Sequence, residues 1–395
     1  MNSLLIWKNG RQVGELGYSQ NSYLFTYGKN VTDADAISLT MPVSERSYEA
    51  QVLHPVFQQN LPEGMLAEVL RKHFAKVIDL SDDIGFLRLT GKYKTGYLQV
   101  TEVNEEPDTA PWGSIEEILQ HPGKTSLEFF NDCIEKFGIA SGISGMQPKL
   151  IAELRHNKKA NRSTVATESC ILKFHDDREY FGLAINEYFS LKAAEYAKIS
   201  TVTSKLNEVG DCLIVNRFDK KEEGTFFCVE DFCVLQALSR QGRYKGDYSD
   251  MVETINRFIP PSQSENLLKL LFQIIIFSMR IGNGDAHLKN FAIMYDQNSV
   301  SLAPAYDQVC TRAYMKNDVP ALAFSGKKEW PNEKEIIAFA QQCEVDEKET
   351  LEIMNRIEKG KKKALKELEK YCEKHAIFAD VYSALTEQWN IKDSV

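Results

Sequence analysis

Ile281-Gly282-Asn283-Gly284-Asp285-Ala286-His287-Leu288-Lys289-Asn290 is the stretch on which the reading of this chain turns. An almost unbroken apolar segment, Leu267 to Met279, precedes it, interrupted only by Lys269, Gln273 and Ser278. Phe291-Ala292-Ile293-Met294-Tyr295 follows, short and strand-like. The pattern predicts a buried helix, a tight glycine-bearing turn and a strand. The turn gathers a carboxylate, an imidazole, an ammonium and a carboxamide. Its Asp-to-Asn offset is that at which phosphotransferases orient an acceptor hydroxyl with the Asp and hold Mg²⁺ with the Asn. Taken alone, the D-x-H-x-x-N pattern equally fits a solvated acidic turn.

Past the next apolar stretch, Leu302-Ala303-Pro304-Ala305-Tyr306-Asp307 supplies a second carboxylate. Mg²⁺ takes one or two carboxylates beside phosphate oxygens, so Asn290 and Asp307 are the candidate metal residues.

Upstream, Gly138-Ile139-Ala140-Ser141-Gly142-Ile143-Ser144-Gly145-Met146-Gln147-Pro148-Lys149 lies between apolar runs. It reads as an ordinary hairpin or as a glycine loop whose amides approach phosphates closely. Cys170-Ile171-Leu172-Lys173-Phe174 is a strand with one lysine inside it. Lys173 either reaches solvent from an edge or meets Glu187, on the amphipathic helix Ala184 to Ala194, because burying an unpaired charge is costly. Strand Leu213 to Asp219, a charged turn and Phe226 to Phe232 follow; Val229, Glu230 and Asp231 mark the strand-to-helix link where a two-lobed kinase binds adenine through backbone groups.

The remaining pattern bounds the class. With 395 residues and 43% apolar content, the chain suits a soluble globular protein of two or three domains. No segment reaches the roughly 20 apolar residues that span a bilayer, and the apolar run at residues 4–7 is too short for a signal peptide. A cytoplasmic location and no membrane partner are expected. Net charge is −9, which excludes a large nucleic-acid footprint for the chain acting alone. Eight cysteines without a C-x-x-C pair read as reduced core residues, and seven histidines form no ligand cluster. Strands are expected at 4–7, 12–16, 23–27 and 37–41, the first two joined by a turn at 8–11. Helices are expected over 65–75 and within 114–137. Residues 347–371 read as a helix with a solvated face, pairing Glu352 with Arg356 and Glu358 with Lys362.

With these parts in order, the chain resembles HipA-family serine/threonine kinases, the toxin half of a bacterial toxin–antitoxin pair. Asn60-Leu61-Pro62-Glu63-Gly64 is similar to that family's N-L-x-P-E-G stretch, one residue shorter. Ser144-Gly145-Met146-Gln147-Pro148-Lys149 resembles its G-x-Q-x-K phosphate loop, Lys173 its nucleotide lysine and Asn186-Glu187 the helix carrying the lysine's partner. Asp285 to Asn290 resembles its D-x-H-x-K-N loop and Tyr306-Asp307 its metal-binding Asp. The resemblance implies an α+β fold: two kinase lobes, an extra β-rich amino-terminal subdomain and a mostly helical carboxy-terminal lobe. The segments would be 1–104, 105–230 and 231–395.

It further implies ATP and Mg²⁺ as cofactors, with the nucleotide at Gly142, Ser144, Gly145, Gln147, Lys149, Lys173, Glu187, Val229, Glu230 and Asp231. Asp285, His287 and Lys289 are the candidate catalytic residues, His287 and Lys289 either structural or facing phosphate. Autophosphorylation of the glycine-rich loop is expected at Ser144 ahead of Ser141, since the residue three before Gly145 is Gly142. The implied partners are a HipB-like helix-turn-helix antitoxin, DNA only through it, and a protein substrate of the aminoacyl-tRNA synthetase kind. A small-molecule phosphotransferase of the aminoglycoside-kinase type and a catalytically silent co-repressor module are the competing readings.

Overall fold

The computed structural model describes residues 2–19, 22–74, 79–80, 82–93, 96–120, 126–141, 149–155, 167–174 and 180–390. Gly142, Ser144, Gly145 and Gln147 lie outside them. The chain divides into two compact units. The first comprises Met1–Phe174, Asn207–Arg240 and Met294–Ser299; the second comprises His175–Leu206, Gln241–Ile293 and Val300–Val395. The division differs from the three consecutive segments expected from sequence, because each unit draws on discontinuous stretches.

The first unit opens with β1 (Asn2–Lys8), β2 (Arg11–Ser19), β3 (Ser22–Tyr27), β4 (Tyr48–Ala50), α1 (Pro55–Gln58), α2 (Gly64–Phe74), α3 (Asp83–Thr90) and β5 (Leu98–Glu102). Its first sheet runs β4-β3-β2-β1-β5. The β1–β2 hairpin pairs Lys8 with Arg11. Its two turn residues, Asn9 and Gly10, have φ of 49° and 79°, the left-handed pair that matches strand twist in a two-residue hairpin. Leu4, Ile6, Leu16 and Phe25 bury one face of the sheet, as the period of two dictates, and Val13 is buried at the irregularity where the register shifts opposite Ile6 and Trp7.

The strand expected at 37–41 does not form; those residues make one isolated Ser38–Met41 bridge. Ile37 and Met41 are buried as their apolarity requires. The polar groups between them turn to a side chain far along the chain, described below. Local alternation reported burial here, and not what the backbone bonds to.

His54 caps α1, its Nδ1 accepting the Val56 N–H at 3.3 Å. A ring nitrogen that accepts must be unprotonated, and burial pushes this imidazole from its ordinary 6.5 down to about 4. The folded value lies below the unfolded one, so unfolding takes up a proton between them. The stabilisation is full above pH 6.5 and is lost as pH falls toward 4, by at most about 1.4 kcal/mol per pH unit. His54→Asn keeps a cap that does not titrate. The pH dependence of the unfolding free energy should then lose a contribution approaching one proton in that window.

The first unit continues with β6 (Trp112–Ser114), α4 (Ile115–Gln120), α5 (Ser126–Phe137), β7 (Lys149–Arg155), β8 (Thr167–Phe174), β10 (Cys212–Asn216), β11 (Cys228–Asp231) and α7 (Phe232–Leu235). The second sheet places β6, β7, β8 and β10 side by side. Leu150, Ala152, Leu154, Cys170, Leu172 and Phe174 fill the core on one face. The opposite face carries Lys149 directly across from Lys173.

The second unit holds α6 (Leu183–Tyr196), β9 (Ser204–Leu206), α8 (Tyr248–Phe258), α9 (Pro261–Ile281), the first half of β12 (Ala292–Tyr295), β13 (Val300–Leu302), α10 (Glu333–Gln342), α11 (Glu347–Lys374) and α12 (Ala379–Trp389). α9 begins on Pro261, whose missing N–H costs nothing at the first helical position. α6 lies against α11 at Gly360, where an added Cβ would stand 2.4 Å from the Ala193 oxygen. That close approach explains a glycine in mid-helix. α11 is charged outside, but Ile353, Ile357, Ala364 and Leu368 are buried. Glu358 turns inward to Arg280 and Lys361 and not to the expected Lys362.

All eight cysteines are free thiols, seven of them buried. Among the described residues no helix is long and apolar enough to cross a membrane.

Candidate active site

In the second unit, α9 stops at Gly282, whose φ of 75° gives a left-handed cap. The Gly282 N–H bonds the Met279 oxygen at 3.1 Å and the Asn283 N–H bonds the Ser278 oxygen at 2.9 Å. The last helical carbonyls are thereby satisfied. Asn283, buried, accepts the Asp285 N–H on Oδ1 at 3.1 Å and donates from Nδ2 to the Asp307 carbonyl at 3.3 Å. The Thr311 hydroxyl accepts the Gly284 N–H at 2.7 Å and donates to the Asp318 carboxylate. A Cβ on Gly284 would lie 2.0 Å from an Asp318 carboxylate oxygen and 2.8 Å from the Val319 carbonyl. The loop leaves no room there for a side chain.

Further along, the buried Tyr248 hydroxyl donates to the Ala286 carbonyl at 2.8 Å, and the Tyr306 hydroxyl to the Lys289 carbonyl at 2.9 Å. The His287 N–H donates to Asn290 Oδ1 at 2.9 Å. The Asn290 amide approaches Asp307 Oδ2 at 3.5 Å. Asp307 itself has φ of 52°, a left-handed conformation that costs a non-glycine residue energy and clusters at functional sites. Of the two acidic residues Asp285 is exposed and Asp307 half-buried, and the Tyr244 hydroxyl donates to Asp285 Oδ1 at 2.8 Å.

Asn290 and Asp307 lie side by side, with the amide nitrogen turned to the carboxylate and the amide oxygen accepting the His287 N–H. Among the described residues no group of three or more His, Cys, Asp or Glu side chains is arranged to hold a metal. A carboxylate and an amide with no further protein ligand suit an ion that arrives coordinated by phosphate. His287 is not a charged contact: burial pushes its pKa down to about 3, Arg243 pushes the same way and Asp307 opposes both. Its ring is neutral, buried, and packed edge-on to Tyr244 with centroids 5.0 Å apart. Lys289 is half-buried.

Glu187 is buried on α6. Its neighbour Asn186 closes on Cys310 with both amide atoms, accepting the N–H at 2.9 Å and donating to the carbonyl at 3.0 Å. That fixes the segment just past Asp307. Sequence reasoning named Asn186 only as the neighbour of Glu187 and gave it no role, although a carboxamide among apolar helix residues signals a backbone it must satisfy.

In the first unit, Lys149 and Lys173 are 6% and 2% exposed and lie opposite each other on one face. Directly opposed side chains in an antiparallel pair come within about 5 Å at Cβ. The two ammonium groups place positive charge on that face. Ser141 is fully buried; its hydroxyl accepts the Ile151 N–H at 2.9 Å and donates to the Phe137 carbonyl at 2.9 Å. In this conformation it is a structural tie, with no face open to a phosphoryl donor.

The 226–231 segment is held by side chains that sequence reading did not connect to it. Asn9 brackets Phe226, donating to its carbonyl at 3.0 Å and accepting its N–H at 2.9 Å. Gln59 donates to the Val229 carbonyl at 2.9 Å and accepts the Asp231 N–H at 3.1 Å. Those two backbone groups, expected to face adenine, are engaged by Gln59. The buried Glu230 carboxylate accepts from the Leu39 N–H at 2.8 Å, from the Ser38 hydroxyl at 2.5 Å and from the Tyr295 hydroxyl. Burial holds it above the usual carboxylate range against these donors. Glu230 is a tie to residues 38–39, and Asp231 caps α7 through the Val234 N–H at 3.0 Å.

Residues 4–101 match the HipA N-terminal domain family and residues 141–365 the HipA-like C-terminal domain family. Two proteins of Sinorhizobium fredii (strain NBRC 101917 / NGR234) are similar over most of their length. "Putative kinase Y4dM" is 28% identical over 346 residues, covering 80% of this chain and 78% of that protein. "Putative kinase Y4mE" is 26% identical over 335 residues, covering 79% and 78%. A chain of the Shewanella oneidensis MR-1 toxin–antitoxin complex of HipA, HipB and operator DNA superposes with a TM-score of 0.69 at 17% identity, covering 98% of this chain and 96% of its own. That likeness bears on fold, and agrees with the mixed α and β architecture and its helical carboxy-terminal region. From the two family matches, which together span most of its length, this chain belongs to the HipA-like family.

Proposed function

We propose that the chain is an ATP-dependent serine/threonine protein kinase acting as the toxin of a toxin–antitoxin pair. The observation that carries this reading is the loop itself. It exposes Asp285 while tying Asn290 to Asp307, a division of labour suited to aligning an acceptor hydroxyl and holding a metal. Lys149 and Lys173 supply positive charge for phosphates. Asp285 accepts the proton-bearing side of a serine or threonine hydroxyl and orients it; little covalent work falls to the protein in phosphoryl transfer. Mg²⁺, held by Asn290 and Asp307, would neutralise charge developing on the phosphates. His287, neutral and buried, keeps the loop's shape, and Lys289 serves the loop through its carbonyl.

Names given to the relatives favour a kinase, and the Shewanella complex favours a HipB-like antitoxin as partner, with DNA reached through it. An aminoacyl-tRNA synthetase as substrate and autophosphorylation at Ser144 belong to the same reading. The burial of Ser141 favours Ser144 between the two. The test is incubation with γ-labelled ATP and a cell extract, followed by phosphoamino-acid analysis and mass spectrometry of residues 141–149. Label on protein serine or threonine supports the reading, and a loop phosphate on Ser144 supports the site. Label only on small molecules would favour the aminoglycoside-kinase type of chemistry instead.

A further inference from the structure

Tyr244 ends a single helical turn over Arg240–Tyr244 and is 44% exposed. Yet its hydroxyl is fixed on the catalytic-loop carboxylate, 2.8 Å from Asp285 Oδ1. The ring stands edge-on to His287 at 82°. Its backbone is anchored as well: Lys328 Nζ donates to the Tyr244 carbonyl at 3.3 Å, and the Ala323 N–H to the Gly246 carbonyl at 3.0 Å. A phenol hydroxyl donating to Asp285 makes the same bond that an acceptor hydroxyl would make there.

Two roles are open to such a group, and the surroundings choose between them. Asp285 does not depend on Tyr244 for its place. Asn283 holds its N–H at 3.1 Å, Tyr248 holds the Ala286 carbonyl at 2.8 Å, and Asn290 holds the His287 N–H at 2.9 Å. The loop around the carboxylate is thus fixed by buried groups, whereas Tyr244 and Asp285 are both exposed to solvent where their side chains meet.

We propose that Tyr244 is part of the acceptor site, its hydroxyl holding the place of the incoming serine or threonine hydroxyl on Asp285 and giving way to it. The inference rests on Asp285 being the hydroxyl-orienting residue. Each acceptor must displace the phenol, so apparent acceptor affinity is reduced by the fraction of molecules in which Tyr244 is seated. The cost of displacement is modest, because an exposed hydroxyl leaving a carboxylate exchanges one hydrogen bond for water. The tyrosine thereby raises the threshold for acceptors that bring no other binding energy.

Two measurements on the full chain decide the matter. Tyrosine labelled with ¹³C at Cζ reports the phenol directly, and Tyr244→Phe assigns its resonance. That resonance should move on Asp285→Ala; an unmoved signal means no such bond in solution and overturns the proposal. In steady-state transfer from MgATP to dephosphorylated casein, Tyr244→Phe should lower the acceptor KM by roughly 3- to 10-fold, the gain lying in KM more than in kcat. An acceptor KM unchanged or raised, with Asp285→Asn inactive, overturns the proposal and leaves the kinase reading intact. Full transfer by Asp285→Asn, or none by the wild-type chain, strikes at the phosphotransfer reading and removes the proposal with it.

Discussion

Asp285→Asn should reduce phosphoryl transfer by roughly 10³-fold while leaving the fold unchanged. The size follows from the role: a positioned carboxylate that orients a hydroxyl and takes its proton contributes about 10²- to 10⁴-fold. The selectivity follows from the structure. The loop is fixed through backbone atoms, with the Asp285 N–H on Asn283 and the Gly284 N–H on Thr311. Asparagine has the same shape and still accepts from the Tyr244 hydroxyl. Thermal unfolding should therefore match the wild-type chain while label transfer from γ-labelled ATP disappears. A variant that keeps most of its transfer removes Asp285 from the mechanism.

Gly284→Ala is the second large effect, and it works by geometry. The added methyl would meet the Asp318 carboxylate at 2.0 Å and the Val319 carbonyl at 2.8 Å. Asp318 is not at liberty to swing away without releasing the Thr311 hydroxyl, which in turn holds the Gly284 N–H. Relief must come from a shift of the loop that carries Asp285. A displacement of about 1 Å at the reacting group costs on the order of 10²-fold in kcat, and overpacking about 1–3 kcal/mol of stability. Steady-state kinetics with a parallel denaturation curve should show both. Wild-type kcat would mean that the loop position does not matter.

Much of this loop was legible in the chain. A buried helix ending at Gly282, then Asp, His and Asn before a short strand, is a local pattern, and local patterns survive folding. The pairing of Asn290 with Asp307 was also readable, since only one short strand pair separates them. Contacts closed by distant side chains were not. Gln59 grips Val229 and Asp231, Asn9 grips Phe226, and Glu230 reaches Ser38 and Leu39. Hydrophobic period says which residues are buried, and says nothing of which buried carboxamide will satisfy which backbone group.

That limit also explains the strand misplaced at 37–41, whose polar atoms answer to Glu230. It explains Glu358 as well, where spacing of four suggested Lys362 but burial against Arg280 and Lys361 prevailed. Tyr244 carried no signal beyond being a tyrosine in a basic loop. The lysine pair 149/173 was visible only as two separate residues until strand register set them face to face.

The most direct measurement is calorimetric titration of ATP into the chain with and without Mg²⁺, repeated for Lys173→Met and Asp307→Asn. Charge-assisted contacts to phosphate and metal are each worth about 1.5–3 kcal/mol, so ATP affinity should require Mg²⁺ and fall by roughly 10- to 100-fold in each variant. Affinity indifferent to Mg²⁺ and to both substitutions would contradict the account.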